Sequence, residues 1–240
     1  MNKGLVKLGA STVMLAAVTL WSQDQAGAGK QALQQRLAEL KQSMAANQAK
    51  LRTYTWTETT EVSLKGEMKK RDQKQCLYGP DGKVQKSPIG DPSGGAKKPQ
   101  QRGLKGKIVE KKVDELKDYM ERVGSLVSRY VPPDPQKMQA SYEAGKANLN
   151  PAGGGIASLV FQDYAKPGDK VTLAFNTAAK KLQSYTVDTY LDGPQDLVNL
   201  KADFSSLPDG TNHVAHTLLN ATGKQIVVNT TNSNYRPVGQ

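Results

Sequence analysis

Only one cysteine, Cys76, occurs in 240 residues, so no disulfide can form within the chain and stability has to come from packing. No histidine partner is identifiable for that cysteine, which reads as a buried, inert thiol. Histidine itself is nearly absent: His213 and His216 are the only two. Three positions apart on a strand they point to opposite faces, which argues against a shared metal. Glu58 and Glu61 diverge in the same way, against a paired-carboxylate site. Glu58 shares the aromatic face of its strand, where it either meets a polar ligand head group or lies at a sheet end. Neither Gly27-Ala28-Gly29-Lys30 nor Gly153-Gly154-Gly155-Ile156 continues into the GK[ST] of a phosphate loop. With no nucleophile and base, no metal set and no cofactor motif, the sequence predicts a protein that is not an enzyme and uses no cofactor.

Acidic residues are also in short supply, 22 against 33 lysines and arginines. The deficit is local. Between Lys65 and Lys112 fourteen basic residues face five acidic ones, which accounts for +9 of the +10 carried beyond residue 28. Such a stretch can draw in an anionic membrane or polyanion. No zinc-finger, helix-turn-helix or RNA-recognition signature accompanies it, and an exported protein does not ordinarily meet nucleic acid, so no nucleic-acid partner is predicted. The alternative is a solvated basic loop.

The chain also lacks a long apolar run. Leu8 to Trp21, preceded by Lys3 and Lys7, is too short to span a bilayer; with the small residues Ala26, Gly27 and Ala28 it reads as a signal peptide over residues 1–28. The mature protein is then exported, periplasmic or secreted, and soluble. Residues 29–240 suffice for one sizeable core and are read as a single domain.

What is present is periodic. Leu33, Leu37, Leu40, Met44 and Leu51 mark an amphipathic helix over 30–52. TYTWTETTEV, residues 53–62, alternates, with Tyr54, Trp56 and Val62 on one side and threonines on the other, and reads as a strand. Turns at Lys65-Gly66 and Asp81-Gly82 make hairpins of the next segments. DPSGGAKKPQQRGLKGK, 91–107, has almost nothing to bury and reads as a mobile loop. A heptad-like helix follows over 108–130 (Val109, Val113, Leu116, Met120, Val123, Val127, Tyr130), fitting a coiled-coil seam or, since Gly124 interrupts it, a helix lying on a sheet. Asp134-Pro135 starts a third helix to about residue 147. From the glycines at 153–155 onward the period is two, giving a meander of five or six strands that includes Phe175, Tyr185, Val187 and Phe204.

The predicted fold is α+β: a curved antiparallel sheet or unclosed β-barrel, with an N-terminal helix and a two-helix insertion covering the concave face. This order resembles the LolA and LolB type of periplasmic lipoprotein carrier over roughly residues 30–236, and phrases such as KQCLYGPDGKVQKSPIG, YVPPDP and TTNSNY are similar to exported bacterial proteins of unassigned function. The carrier resemblance implies an apolar cavity that holds acyl chains under helical lids. Tyr54, Trp56, Val62, Phe175, Tyr185, Val187 and Phe204 are the predicted ligand-lining residues, with a lipid or lipoprotein acyl chain as partner. Lys97, Lys98, Arg102, Lys105 and Lys107 are the predicted contacts with an anionic surface, and docking there without a cavity is the alternative function. Oligomeric state is open.

Overall fold

A computed structural model of the chain describes residues 35, 38, 39, 42–90 and 104–239, without the side chains of 104–110 and 152. The expected signal peptide, Leu33, Leu37, Leu40 and most of the basic loop, Lys97, Lys98 and Arg102 included, lie outside the described residues. The chain divides into two units at Glu39 and Leu40. In the first, Gln35 Nε2 donates to Glu39 Oε1 within a helical turn (3.4 Å). The second contains all the elements that follow.

Helix α1 covers residues 42–51. Strands β1 (Tyr54–Leu64), β2 (Glu67–Tyr78) and β3 (Val84–Pro88) come next, then helices α2 (Leu104–Val127) and α3 (Pro135–Glu143). Seven strands complete the chain: β4 (Ala147–Gly153), β5 (Ile156–Gln162), β6 (Lys170–Asn176), β7 (Lys181–Tyr190), β8 (Leu197–Ser206), β9 (Asn212–Ala221) and β10 (Ile226–Pro237). They form one antiparallel sheet in the order β3-β2-β1-β10-β9-β8-β7-β6-β5-β4. All neighbours but one are consecutive, because short turns join antiparallel strands directly. The exception is β1 on β10, which brings Tyr54 opposite Pro237 and Leu64 opposite Ile226. The ends, β3 and β4, do not pair with each other, so the fold is α+β with an unclosed curved sheet.

Three boundaries differ from expectation. Six strands follow the glycines at 153–155, within the expected number, but they are preceded by one the sequence reading did not include, because Ala147–Gly153 is extended and the glycines make a tight turn from it into β5, all three with positive φ. Helix α2 starts at Leu104, inside the stretch read as loop and including Lys105 and Lys107, and α3 stops at Glu143. The buried stripe of α2 is Tyr119, Val123, Leu126 and Tyr130 just past its end, whereas Val113 is exposed. The stripe is rotated because the two tyrosines reach buried carboxylates on the sheet: Tyr119 Oη donates to Asp196 Oδ1 and Tyr130 Oη to Asp169 Oδ2, both at 2.7 Å. Helix α3 begins as the sequence predicts, with Asp134 Oδ1 accepting from Gln136 N (2.8 Å) and Pro135 in the first turn.

One face of the sheet carries the core. Following the register, Phe161 and Leu159, Val171 and Leu173, Tyr185 and Val187, Val198 and Leu200, then Ala221 and Ile226 succeed one another across β5 to β10, all buried. The helices seat on this face. Tyr185 Oη donates to the Tyr130 carbonyl, the Tyr130 hydroxyl meets Thr189 Oγ1 at 2.9 Å, and Ser141 of α3 donates to Gln162 O.

Candidate functional site

The same face continues past β10 onto β1 and β2, and there its character changes. Alternation and register place Trp56, Glu58, Thr60, Val62 and Leu64 of β1 beside Asn232, Thr230, Val228 and Ile226 of β10, and beside Thr217 and Leu219 of β9. Val62, Leu64, Val228 and Leu219 are half-buried, unlike the fully covered Val171, Leu173, Val187 and Val198 across the sheet. The chemistry also grades along the strands. Val62 and Val228 sit opposite each other, then Thr60 and Thr230, whose hydroxyls are 3.5 Å apart, then Glu58 and Asn232.

The strip ends in aromatic rings. Trp56 is buried, stacks on Tyr235 at 5.6 Å and leans on Tyr78 at 5.5 Å; Tyr54 meets Tyr235 edge-on. The indole N–H is satisfied by Asn232 Oδ1 (3.1 Å), whose amide donates to Val214 O (3.0 Å). Cys76, opposite Trp56 on β2, is fully buried, and burial pushes its thiol up, away from the reactive thiolate. The Tyr235 phenol is raised for the same reason, with smaller contributions from Tyr78, Cys76 and Glu58. Glu58 takes Lys86 Nζ on both oxygens, at 2.7 and 2.6 Å. Glu61, on the opposite face, pairs with Arg71.

Of the residues predicted to line a ligand site, Tyr54, Trp56 and Val62 therefore share one continuous strip. Phe175, Tyr185 and Val187 lie on the same face at β6 and β7, where they are buried and the Tyr185 hydroxyl is occupied by α2's trailing turn. Phe204 is half-buried on β8, next to a β-bulge at Asp203 and Phe204. The strip needs in addition Leu219, Val228, Thr230, Asn232 and Tyr235, none of which is among the predicted ligand-lining residues. Their signal was the alternation of β9 and β10; what the sequence lacked was the pairing of β10 with β1.

The two histidines have separate surroundings. His213 is buried with its ring 4.2 Å from Tyr235, and its Nδ1 has no hydrogen-bond partner. His216 bonds through Nε2 to Asn229 Oδ1 and lies near Asp203. Among the described residues no group of three or more histidines, cysteines or carboxylates is placed to hold a metal.

The basic segment splits in two. Between residues 65 and 90, Lys69, Lys70, Arg71, Lys83 and Lys86 each have a carboxylate within 4.0 Å: Glu67, Asp72, Glu61, Asp81 and Glu58 in turn. The pairs involving Lys69, Lys70 and Lys83 are exposed and contribute little stability, but all five cancel field locally. By sequence, residues 91–112 add seven basic residues against two acidic ones. Among the described residues no helix is long and apolar enough to cross a membrane.

No protein-family model and no curated protein matches the chain. A solved structure similar to it is that of a DUF1329 family protein from Desulfovibrio piger, 10% identical, with the alignment covering 88% of this chain and 95% of that one at a TM-score of 0.38. Its name is not that of the LolA and LolB carriers, and a likeness this distant carries no argument about this chain.

Proposed function

We propose that this is an exported binding protein that holds an apolar chain, such as a lipid or lipoprotein acyl group, along the β9, β10 and β1 strip. The observation that carries this is the change along one face of the sheet: fully buried under α2 and α3, then half-buried at Val62, Leu64, Val228 and Leu219. Each methylene buried there adds about 0.8 kcal/mol. Phe175, Tyr185 and Val187 anchor the lid helices, and Trp56 and Tyr54 close the far end of the strip. Apolar surface plus a few convergent polar groups is the usual composition of a small-ligand site.

The test is native mass spectrometry of protein purified gently from its own host, joined to fluorescence titration with an acyl amphiphile in a Trp21→Phe background, where Trp56 is the sole tryptophan. Co-purified lipid and a saturable Trp56 shift are the expected results. A clean apo mass with no shift and no displacement of a bound apolar dye removes the reading.

The second reading, docking on an anionic surface, is favoured by the excess of basic over acidic residues in 91–112 and is compatible with the first, since a lipid carrier has to visit a membrane.

A further inference from the structure

We infer that His213 is the head-group subsite of this strip, hydrogen-bonded through Nδ1 to an uncharged oxygen-bearing head, a hydroxyl that donates to it or accepts from it or an ester carbonyl that accepts from it, of an amphiphile whose tail lies on Val62, Val228 and Leu219. The inference rests on the binding function proposed above. Among the described residues, His213 Nδ1 is the sole buried side-chain nitrogen or oxygen with no partner. Buried polar groups are nearly always paired, and an orphan bears its full desolvation cost. The other polar groups near it are satisfied: Trp56 Nε1 by Asn232, Asn232 Nδ2 by Val214, and Glu58 by Lys86. One buried hydrogen-bonding atom, beside Tyr235 where the strip ends, is therefore left without a partner, and Trp56 is about 20 Å along β1 from Val62.

The surroundings select the head. The Tyr235 ring lies against His213, with Trp56 stacked on it and Tyr78 beside Trp56, an aromatic surrounding in which an anion loses its hydration without a compensating charge. Glu58 supplies a carboxylate on the same side, and the nearby Lys86 ammonium is held by both Glu58 oxygens. A hydroxyl donates or accepts, so it satisfies either tautomer of the imidazole. The approach to it is past α1, whose Asn47 bonds the backbone of Asn212, next to His213, twice at 2.6 Å, and no side chain of residues 42–51 is fully buried.

The experiment uses the full chain in the Trp21→Phe background, with monododecanoylglycerol and dodecanoate as probes below their micelle concentrations. His213→Phe keeps a ring against Tyr235 and removes the nitrogen. Three results are expected: monododecanoylglycerol binds more tightly than dodecanoate; His213→Phe weakens it by about tenfold with little change for dodecanoate; and the same substitution raises the melting temperature of the ligand-free protein by roughly 2–4 °C, since it removes an unpaired polar atom. His213→Gln, which keeps a hydrogen-bonding group, retains binding to within about threefold. Unchanged monododecanoylglycerol binding, or a melting temperature that falls in His213→Phe even to the point of unfolding, overturns the proposal and makes His213 a structural residue satisfied by water. Tighter binding of dodecanoate overturns the uncharged head. If neither probe binds the parent protein, the binding function itself has failed, a result distinct from the other two.

Discussion

At the scale of single residues, the helical cover depends on one carboxylate. Asp169 is 1% exposed and accepts from Tyr130 Oη, Tyr164 N, Ala165 N and Lys166 N, so it ties the turn before β6 to α2. Replacing it with alanine strands three amides and leaves the Tyr130 phenol with Thr189 alone. Asp169→Ala is expected to cost about 2–4 kcal/mol, read as a lower urea midpoint, with Val187 and Phe175 losing hydrogen-exchange protection as the helices loosen. Tyr119 makes a related contact whose effect depends on pH. Burial, then its bond to Asp196, pushes the phenol up to about 12 from an ordinary 10.0. A group whose folded value is raised contributes its stability below the unfolded value and loses it as pH rises through the folded one. Stability should therefore fall between pH 10 and pH 12, and Tyr119→Phe should flatten that part of the profile when melting temperature is followed against pH.

At the scale of elements, the β1–β2 hairpin is set by its turn. Lys65 and Gly66 both have positive φ, 53° and 81°, and Leu64 pairs with Glu67, the geometry of a two-residue type I′ turn. An added Cβ at Gly66 meets nothing within 4 Å, so the cost of Gly66→Ala is purely that of the backbone, about 1 kcal/mol. Lys65→Asn, which suits the left-handed region better, should raise stability by a few tenths of a kcal/mol. Denaturant titration checks both signs. A drop in stability for Lys65→Asn would mean that the lysine head group matters more than its backbone.

At the scale of the whole molecule, charge and cover are distributed separately. Five basic residues of the β2–β3 region have carboxylate partners, whereas Lys97, Lys98, Arg102, Lys105 and Lys107 belong to a stretch with two acidic residues among 91–112. Replacing those five with glutamine should weaken binding to anionic vesicles by about tenfold or more at low salt, since each basic residue near such a surface contributes about 1 kcal/mol at most. Raising the salt should abolish the difference, because the Debye length is ~8 Å at physiological ionic strength. Co-sedimentation measures it, and equal, salt-insensitive binding by both forms would leave the segment as a solubilising loop.

Much of this was legible in the sequence because the signals are local. Alternating polarity marks β1 and the meander, turn residues mark the hairpins, Asp134-Pro135 marks the start of α3, and one-sided strands imply a curved sheet under helices. Each follows from side chains a few positions apart sharing or not sharing a face. The pairing of Tyr54–Leu64 with Ile226–Pro237 joins segments more than 160 residues apart, and no local period encodes it. That pairing decides that Val62 and Leu219 share a strip and that Tyr235 lies on Trp56. In the same way α2 turns Tyr119 and Leu126 inward and Val113 outward because its partners, Asp196 and Asp169, lie on distant strands. The sequence by itself determined which residues alternate, turn and cap. Only the tertiary structure decided which stretch of a common face is covered, and which buried nitrogen, His213 Nδ1, is left without a partner, since cover and hydrogen-bond satisfaction depend on what distant segments bring together.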